Sequence, residues 1–296
     1  MNIVILGPGA IGSLWAFKLK HAGHQVSLWG TSQSETALVQ LDQNQPEVFA
    51  HRSTQSLSQA DLLLVTVKAW QVETAITPLI PWLHSDTIIT LMHNGMGTAE
   101  IVAQLLPKNP IILATTTHGA YKSTKSQVHH TGAGHTQLGG YNSLGKQCNF
   151  LAEVFQHALA PVSWNQDVRQ ALWTKLAINC AINPLTGIHQ FKNGQLTQEK
   201  WRTTLRDLTQ ELVEVMMLEH IDTNPKELLE TILNVAQATS ENYSSMRQDI
   251  AHQRQTEIDF ITGYMLQQAD KHHIETPKNR DLYNRIKQIE NSWKES

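Results

Sequence analysis

The sequence predicts a parallel α/β sheet domain followed by an all-α domain. Three observations predict it: the first half alternates short β-branched runs with helical patterns, a glycine-rich turn joins the first strand to the first helix, and from about residue 166 only helical periods remain. Strand–helix–strand alternation implies crossover connections, hence parallel strands with helices on both faces. A chain of 296 residues is long enough for two domains, here 1–166 and 167–296.

Ile3-Val4-Ile5-Leu6 reads as a buried strand, followed by a helix over 11–21 that stops at Gly23. Val26-Ser27-Leu28-Trp29 is a second strand; 61–67, 87–92 and 110–114 are the next three, with helices over 71–83 and 98–106 between them. The Thr-, Gly- and His-rich stretch 116–140 reads as a β-hairpin or loop, followed by a helix over 151–159 and a short strand at 161–164. Helical periods then cover 166–183, 197–220, 225–241, a long 246–272, and 279–293, punctuated by Pro184, Pro225 and Pro277.

Composition narrows the function. With 41% hydrophobic residues, 17% charged and a net charge of −3, the chain has no basic excess for nucleic acid and no acidic tail. No apolar run is long enough to span a bilayer, and no charged leader precedes the first strand. Cys148 and Cys180 form neither a disulfide framework nor a metal spacing, and the 15 histidines are scattered, so no metal site is expected. These features suit a protein of the reducing cytoplasm.

Gly7, Pro8, Gly9, Ala10, Ile11 and Gly12 match G-x-G-x-x-G directly after a strand and at the opening of a helix. That context marks a Rossmann-type dinucleotide fold: the first glycine permits the turn, the second admits the pyrophosphate and the third lets helix and strand pack. The helix N-terminus favours the phosphates. A ribose-binding acid is expected about 20 residues on, but the chain reads Trp29-Gly30-Thr31-Ser32-Gln33, with Glu35 the first acid. Its absence disfavours NAD, and hydroxyls with Lys68 as cation can hold a 2′-phosphate, although no arginine stands at this edge. Lys68 and Asn94 follow the third and fourth strands at their carboxyl ends, where such sheets bind ligands; ordinary loop roles fit them too.

Lys175, Asn179 and Asn183 stand four residues apart in an otherwise apolar stretch. At about 100° per residue they form one slowly drifting stripe of a helix. A lysine there needs a polar cavity or partners, because an unpaired buried charge is costly; a surface lysine with two capping asparagines is the plainer alternative. Asn193-Gly194 forms a turn, Ser244-Ser245 sits at a helix start, and Glu257 falls within the long helix over 246–272. Cys180 faces away from the stripe and reads as core.

Together with Val67-Lys68-Ala69-Trp70-Gln71, His93-Asn94-Gly95-Met96-Gly97 and Thr115-Thr116-Thr117-His118, these segments resemble the ketopantoate reductase family along essentially the whole chain. The family's members are NADPH-dependent 2-dehydropantoate 2-reductases of pantothenate biosynthesis. The resemblance implies Lys175 as catalytic acid, with Glu257 beside it and near the nicotinamide ribose. It implies substrate contacts from Asn94, Asn179, Asn183, Asn193 and Ser245. It implies cofactor contacts from Asn94, Lys68, Ala120 and the glycine turn, and places at Thr31 the position where close relatives carry a 2′-phosphate-binding arginine.

Such a reaction delivers a hydride to C2 of a 2-keto acid and a proton to its carbonyl oxygen. Burial lowers a lysine pKa toward the useful range, and a nearby Glu257 raises it again. Ser245 suits the carboxylate, and Asn183 with Asn193 the terminal hydroxyl. His93 and His118 are alternative acids that lack an evident orienting carboxylate. Two other functions fit less well: a related reductase of another 2-keto or β-hydroxy acid, and a non-catalytic NADP-binding sensor, which has no use for a proton donor. Closure about a hinge near residue 166 is the expected motion, and the chain is expected to work as a monomer or homodimer.

Overall fold

A computed structural model describes residues 1–293. The chain divides into two units: Met1–His93 with Thr98–Val168, and Asn94–Gly97 with Arg169–Ser296. The short Asn94–Gly97 segment thus groups with the second unit although it lies between elements of the first.

The first unit is an 11-stranded sheet with flanking helices. In chain order its elements are β1 (Asn2–Leu6), α1 (Ala10–His21), β2 (Gln25–Trp29), β3 (Thr36–Leu41), β4 (Glu47–His51), α2 (Thr54–Ser58), β5 (Leu62–Val65), α3 (Val72–Ile76), β6 (Ile88–Leu91), α4 (Thr98–Leu105), β7 (Ile111–Thr116), β8 (Gly119–Lys122), β9 (Gln127–Gly132), β10 (Thr136–Gly140), α5 (Leu151–Ala158) and β11 (Val162–Trp164). The strands run in the order β11-β10-β7-β6-β5-β1-β2-β4-β3-β9-β8. The stretch β4-β2-β1-β5-β6-β7 is parallel throughout, which is the Rossmann order with its switch point between β1 and β5. Alternation along β1 explains the double burial: Ile3 and Ile5 join Leu14, Trp15 and Phe155 on one face, while Val4 and Leu6 join Leu63, Val72 and Val102 on the other.

Departures from the sequence reading have local causes. The β3–β4 antiparallel pair is unforeseen, because its two short strands are only partly buried and their apolar residues do not alternate cleanly with polar ones. The helix expected over 71–83 is one α-helical turn that passes into a 3₁₀ segment containing Pro78 and Pro81.

The second unit is helical: α6 (Val168–His189, whose first residue belongs to the first unit), α7 (Arg202–Leu218), α8 (Pro225–Ala238), α9 (Ser245–Ala251), α10 (Thr262–Lys271) and α11 (Pro277–Ser292). Its core gathers Trp173, Leu176, Cys180 and Leu185 of α6 with Leu205, Leu212, Ile232, Met265 and Ile286. α6 does not stop at Pro184. Thr186 donates its hydroxyl to Ile182 and Asn183 carbonyls at 2.8 and 3.1 Å, and buried Ile182 and Leu185 flank the proline. This packing outweighs a proline cost of about 3 kcal/mol.

The helix expected over 246–272 is broken between Ala251 and Thr262, so Glu257 lies in a non-helical segment. No proline or glycine causes the break. Gln253 has φ 49°, and both the backbone N–H and the hydroxyl of Thr256 donate to Glu290 Oε1 of α11, at 2.8 and 2.7 Å. A buried carboxylate with two donors outcompetes continuation of the helix.

Trp173, fully buried on α6, tests the helical core. Trp173→Ala should cost about 3–5 kcal/mol of unfolding free energy by urea titration, and Trp173→Phe clearly less.

Candidate active site

The nucleotide side is built where β1 meets β5. Gly7 has φ 91°, and a Cβ on it would lie 2.5 Å from Val67 Cγ1. A Cβ on Gly12 would collide with the Gly7 carbonyl oxygen and Thr66 Oγ1. Gly9 differs: a Cβ there would meet nothing nearer than the Gly7 carbonyl oxygen at 3.9 Å. The chain is therefore closed against itself at Gly7 and Gly12 and open at Gly9, where a ligand needs backbone access. Gly9 caps α1 without a side-chain hydrogen bond, and the first turn carries no acid. Its N–H groups and dipole favour an anion. These residues fit a dinucleotide pyrophosphate.

Lys122 holds this turn from outside. Its ammonium donates to the Pro8 carbonyl at 2.6 Å and lies 3.4 Å from Ser13 Oγ, which itself donates to Pro8 O at 3.0 Å. Burial lowers its pKa. Nothing near residue 122 in the sequence announces the contact. Ala120 lies two residues earlier on β8 and so shares its face. Lys68 follows Val67, the residue pressed against Gly7, and its backbone N–H donates to Gln71 Oε1 at 3.3 Å. Thr31 lies exposed just past β2.

In the second unit, Lys175, Asn179 and Asn183 share α6, with Asn183 5% exposed and the other two half-buried. Protein packs around the Lys175 ammonium closely enough that burial lowers its pKa to about 8, against an opposing pull from the Glu257 carboxylate. Desolvation therefore outweighs the ion pairing. Asn94 donates to Glu257 Oε2 at 3.3 Å, so Lys175, Glu257 and Asn94 form one group. Two backbone features hold Asn94 there: Met96 N–H donates to Phe260 O at 2.8 Å, and Gly95, at φ 84°, presses against Phe260 where a Cβ would clash at 2.5 Å. Glu257 is fixed in turn by its neighbours: Thr256 on Glu290, and Asp259 on Tyr283 and Lys287 at 2.7 and 2.9 Å.

The two serines at the start of α9 are not equivalent. Ser244 is buried, accepts the Arg247 N–H at 3.1 Å and lies 2.7 Å from Thr186 Oγ1 of α6. Ser245 is exposed, with its hydroxyl outside that network. Asn193 N–H donates to Asn242 O, and its side-chain amide to Thr239 Oγ1, both at 3.0 Å. Its Oδ1 is buried with no partner among the described residues. An amide oxygen left in that state is an acceptor awaiting a hydroxyl or amine.

His118 is held by a second histidine and a backbone amide: His130 Nε2 and the Gly134 N–H both approach its Nδ1, at 3.1 and 3.0 Å, and burial lowers its pKa. His93 lies 2.9 Å from Thr98 Oγ1. Cys180 is fully buried, with its thiol pushed up to about 12. Among the described residues no cluster of His, Cys, Asp and Glu could hold a metal, and no helix is long and apolar enough to cross a membrane.

A dinucleotide turn in one unit and a desolvated lysine with amides in the other define a nicotinamide-dependent oxidoreductase. Residues 3–143 match the family "Ketopantoate reductase PanE/ApbA" and residues 167–290 its C-terminal family. The chain belongs to the ketopantoate reductase family. It is 52% identical over 293 residues to the 2-dehydropantoate 2-reductase of Vibrio cholerae serotype O1, covering 99% of both chains. It is 37% identical to that of Yersinia pestis, covering 99% of this chain and 96% of the other. A ketopantoate reductase structure from Ralstonia eutropha superposes with TM-score 0.88 at 28% identity, covering 99% and 100%. D-mandelate dehydrogenase in complex with NADH and anilino(oxo)acetate shares the fold, with TM-score 0.90 at 22% identity over 99% of each chain.

The contrast at the glycine turn is testable by calorimetry. Gly12→Ala should weaken dinucleotide binding at least about tenfold, because the added carbon displaces backbone; Gly23→Ala, at φ 87° with open space around it, should cost only about 1–2 kcal/mol of stability and leave binding unchanged.

Proposed function

We propose that this chain reduces 2-dehydropantoate (ketopantoate) to (R)-pantoate with NADPH, a step of pantothenate and coenzyme A biosynthesis in the cytoplasm. The observation that carries the reading is Lys175: an ammonium desolvated to a pKa of about 8, facing Glu257, on a helix that also bears Asn179 and Asn183. The relatives named 2-dehydropantoate 2-reductase support the substrate.

When bound, NADPH supplies the hydride for C2. Lys175 donates a hydrogen bond to the carbonyl oxygen and transfers its proton as that oxygen gains charge. Glu257 orients the ammonium and keeps it protonated near neutral pH. Ser245 takes the substrate carboxylate through its uncommitted hydroxyl. Asn183 and the bare Oδ1 of Asn193 pair with the terminal hydroxyl, and Asn179 and Asn94 complete the polar wall. A keto acid lacking that hydroxyl leaves Asn193 Oδ1 unpaired and is rejected. On the nucleotide side, Gly7 to Gly12 hold the pyrophosphate, with Lys68, Ala120, Asn94, Thr31 and Glu257 along the rest of the cofactor. The partners are small molecules. The chain acts as a monomer or homodimer, and a Staphylococcus aureus ketopantoate reductase is described as dimeric.

The test is NADPH oxidation at 340 nm with ketopantoate beside simpler 2-keto acids. Turnover only on another acid would assign the chain to that reductase, and none at all would leave a nucleotide sensor. Lys175→Ala should remove most of kcat while leaving NADPH affinity nearly intact. For wild type, the proton donor is present below a pKa of about 8 and lost above it. The kcat/KM for reduction should therefore fall as pH rises through about 8, while that for pantoate oxidation rises over the same range. Ser245→Ala should raise the KM for ketopantoate far more than the KM for NADPH.

A further inference from the structure

The end of β2 carries no acid for a ribose and, in sequence, no arginine for a phosphate. In the fold it has one. β4 pairs parallel with β2, in register Ser27 with Ala50 and Leu28 with His51, so the residue after β4 emerges at the same carboxyl edge as Trp29-Gly30-Thr31. That residue is Arg52. Its backbone N–H donates to Leu28 O at 2.9 Å. Its guanidinium lies 5.7 Å from the Trp29 ring centroid, and Nη1 reaches the Gly30 carbonyl at 3.5 Å. The side chain is exposed, with no carboxylate paired to it among the described residues.

The surroundings are built rather than accidental. Gly30 N–H donates to His51 Nε2 at 3.0 Å, and His51 Nδ1 donates to Ser34 O at 2.7 Å, which fixes the tautomer of a buried ring and ties the 30–34 loop to β4. A Cβ on Gly30 would sit 3.1 Å from Pro8 of the glycine turn, so this edge adjoins the dinucleotide turn. The hydroxyls of Thr31 and Ser32 line the same loop. Arg52 has φ 56°, a left-handed backbone that a bulky residue rarely adopts. An exposed guanidinium laid along an aromatic ring at a nucleotide edge matches the planar, multidentate chemistry of phosphate recognition.

We propose that Arg52 is the specificity-determining cation for the 2′-phosphate of NADPH, supplied from the end of β4 rather than from the position of Thr31. The inference rests on the NADPH reading above. The shared fold does not choose the cofactor by itself, since a dehydrogenase of this fold is described with NADH; the edge residue does.

The experiment measures binding, without substrate, by calorimetric titration of NADPH and NADH into wild type, Arg52→Asn, Arg52→Lys and the double variant Thr31→Arg/Arg52→Asn. Asparagine tolerates the left-handed backbone, so folding is kept. Loss of a charged phosphate contact should weaken NADPH by roughly ten- to a hundredfold, with NADH unchanged. Arg52→Lys should retain part of the preference, and Thr31→Arg should restore it in the double variant. Equal weakening of both nucleotides would assign Arg52 to the adenine or to loop packing and overturn the proposal. Unchanged NADPH affinity in Arg52→Asn, in a wild type that prefers NADPH, would overturn it while leaving the cofactor reading intact. A wild type that binds NADH as tightly as NADPH would remove that reading and the proposal together.

Discussion

A cation surrounded by protein is the constraint on which the second unit depends. Desolvation drives Lys175 toward neutrality, and the Glu257 carboxylate opposes it. The balance has chemical use only if the carboxylate stays in place. That need accounts for features that otherwise look unrelated. The chain leaves helical geometry between α9 and α10, Thr256 is clamped by Glu290, Asp259 is held by Tyr283 and Lys287, and a glycine-flanked segment from between β6 and α4 brings Asn94 to the same carboxylate. α11, which carries none of the residues proposed to touch substrate, supplies the groups that immobilise the acid.

The first unit solves a different problem by the same means. Its ligand is large and anionic, and the chain supplies backbone rather than side chains to meet it. Closure at Gly7 and Gly12 with openness at Gly9 sets that geometry, and Lys122 braces it through the Pro8 carbonyl. Fixed dipoles positioned before the ligand arrives avoid the ordering cost that flexible cations carry.

The sequence made legible those features set by short-range pattern. The strands of the parallel sheet, the glycine turn, α1 and the Lys175–Asn179–Asn183 stripe each repeat with their own period or spacing. The features it hid are set by distant partners. No proline or glycine marks the break before Glu257, because a carboxylate 34 residues away makes it. β3 and β4 escaped notice because these short, half-exposed strands carry apolar residues on both faces and so lack a clear alternation. Arg52 was invisible beside Thr31 because only the β2–β4 pairing makes them neighbours. Ser244 and Ser245 looked alike in sequence, and the fold separates them into a buried cap and an open hydroxyl.

The brace from Lys122 also sets an order of assembly. It joins residues 114 positions apart, and Gly7 is pressed by Val67 from the other side. A ribosome that has released only β1, α1 and β2 has exposed every residue of the glycine turn, yet neither of the groups that fix its shape. Contacts of such sequence separation form late and slowly. The nascent chain therefore carries its nucleotide motif for most of the synthesis of the first unit before every group that shapes that motif has emerged.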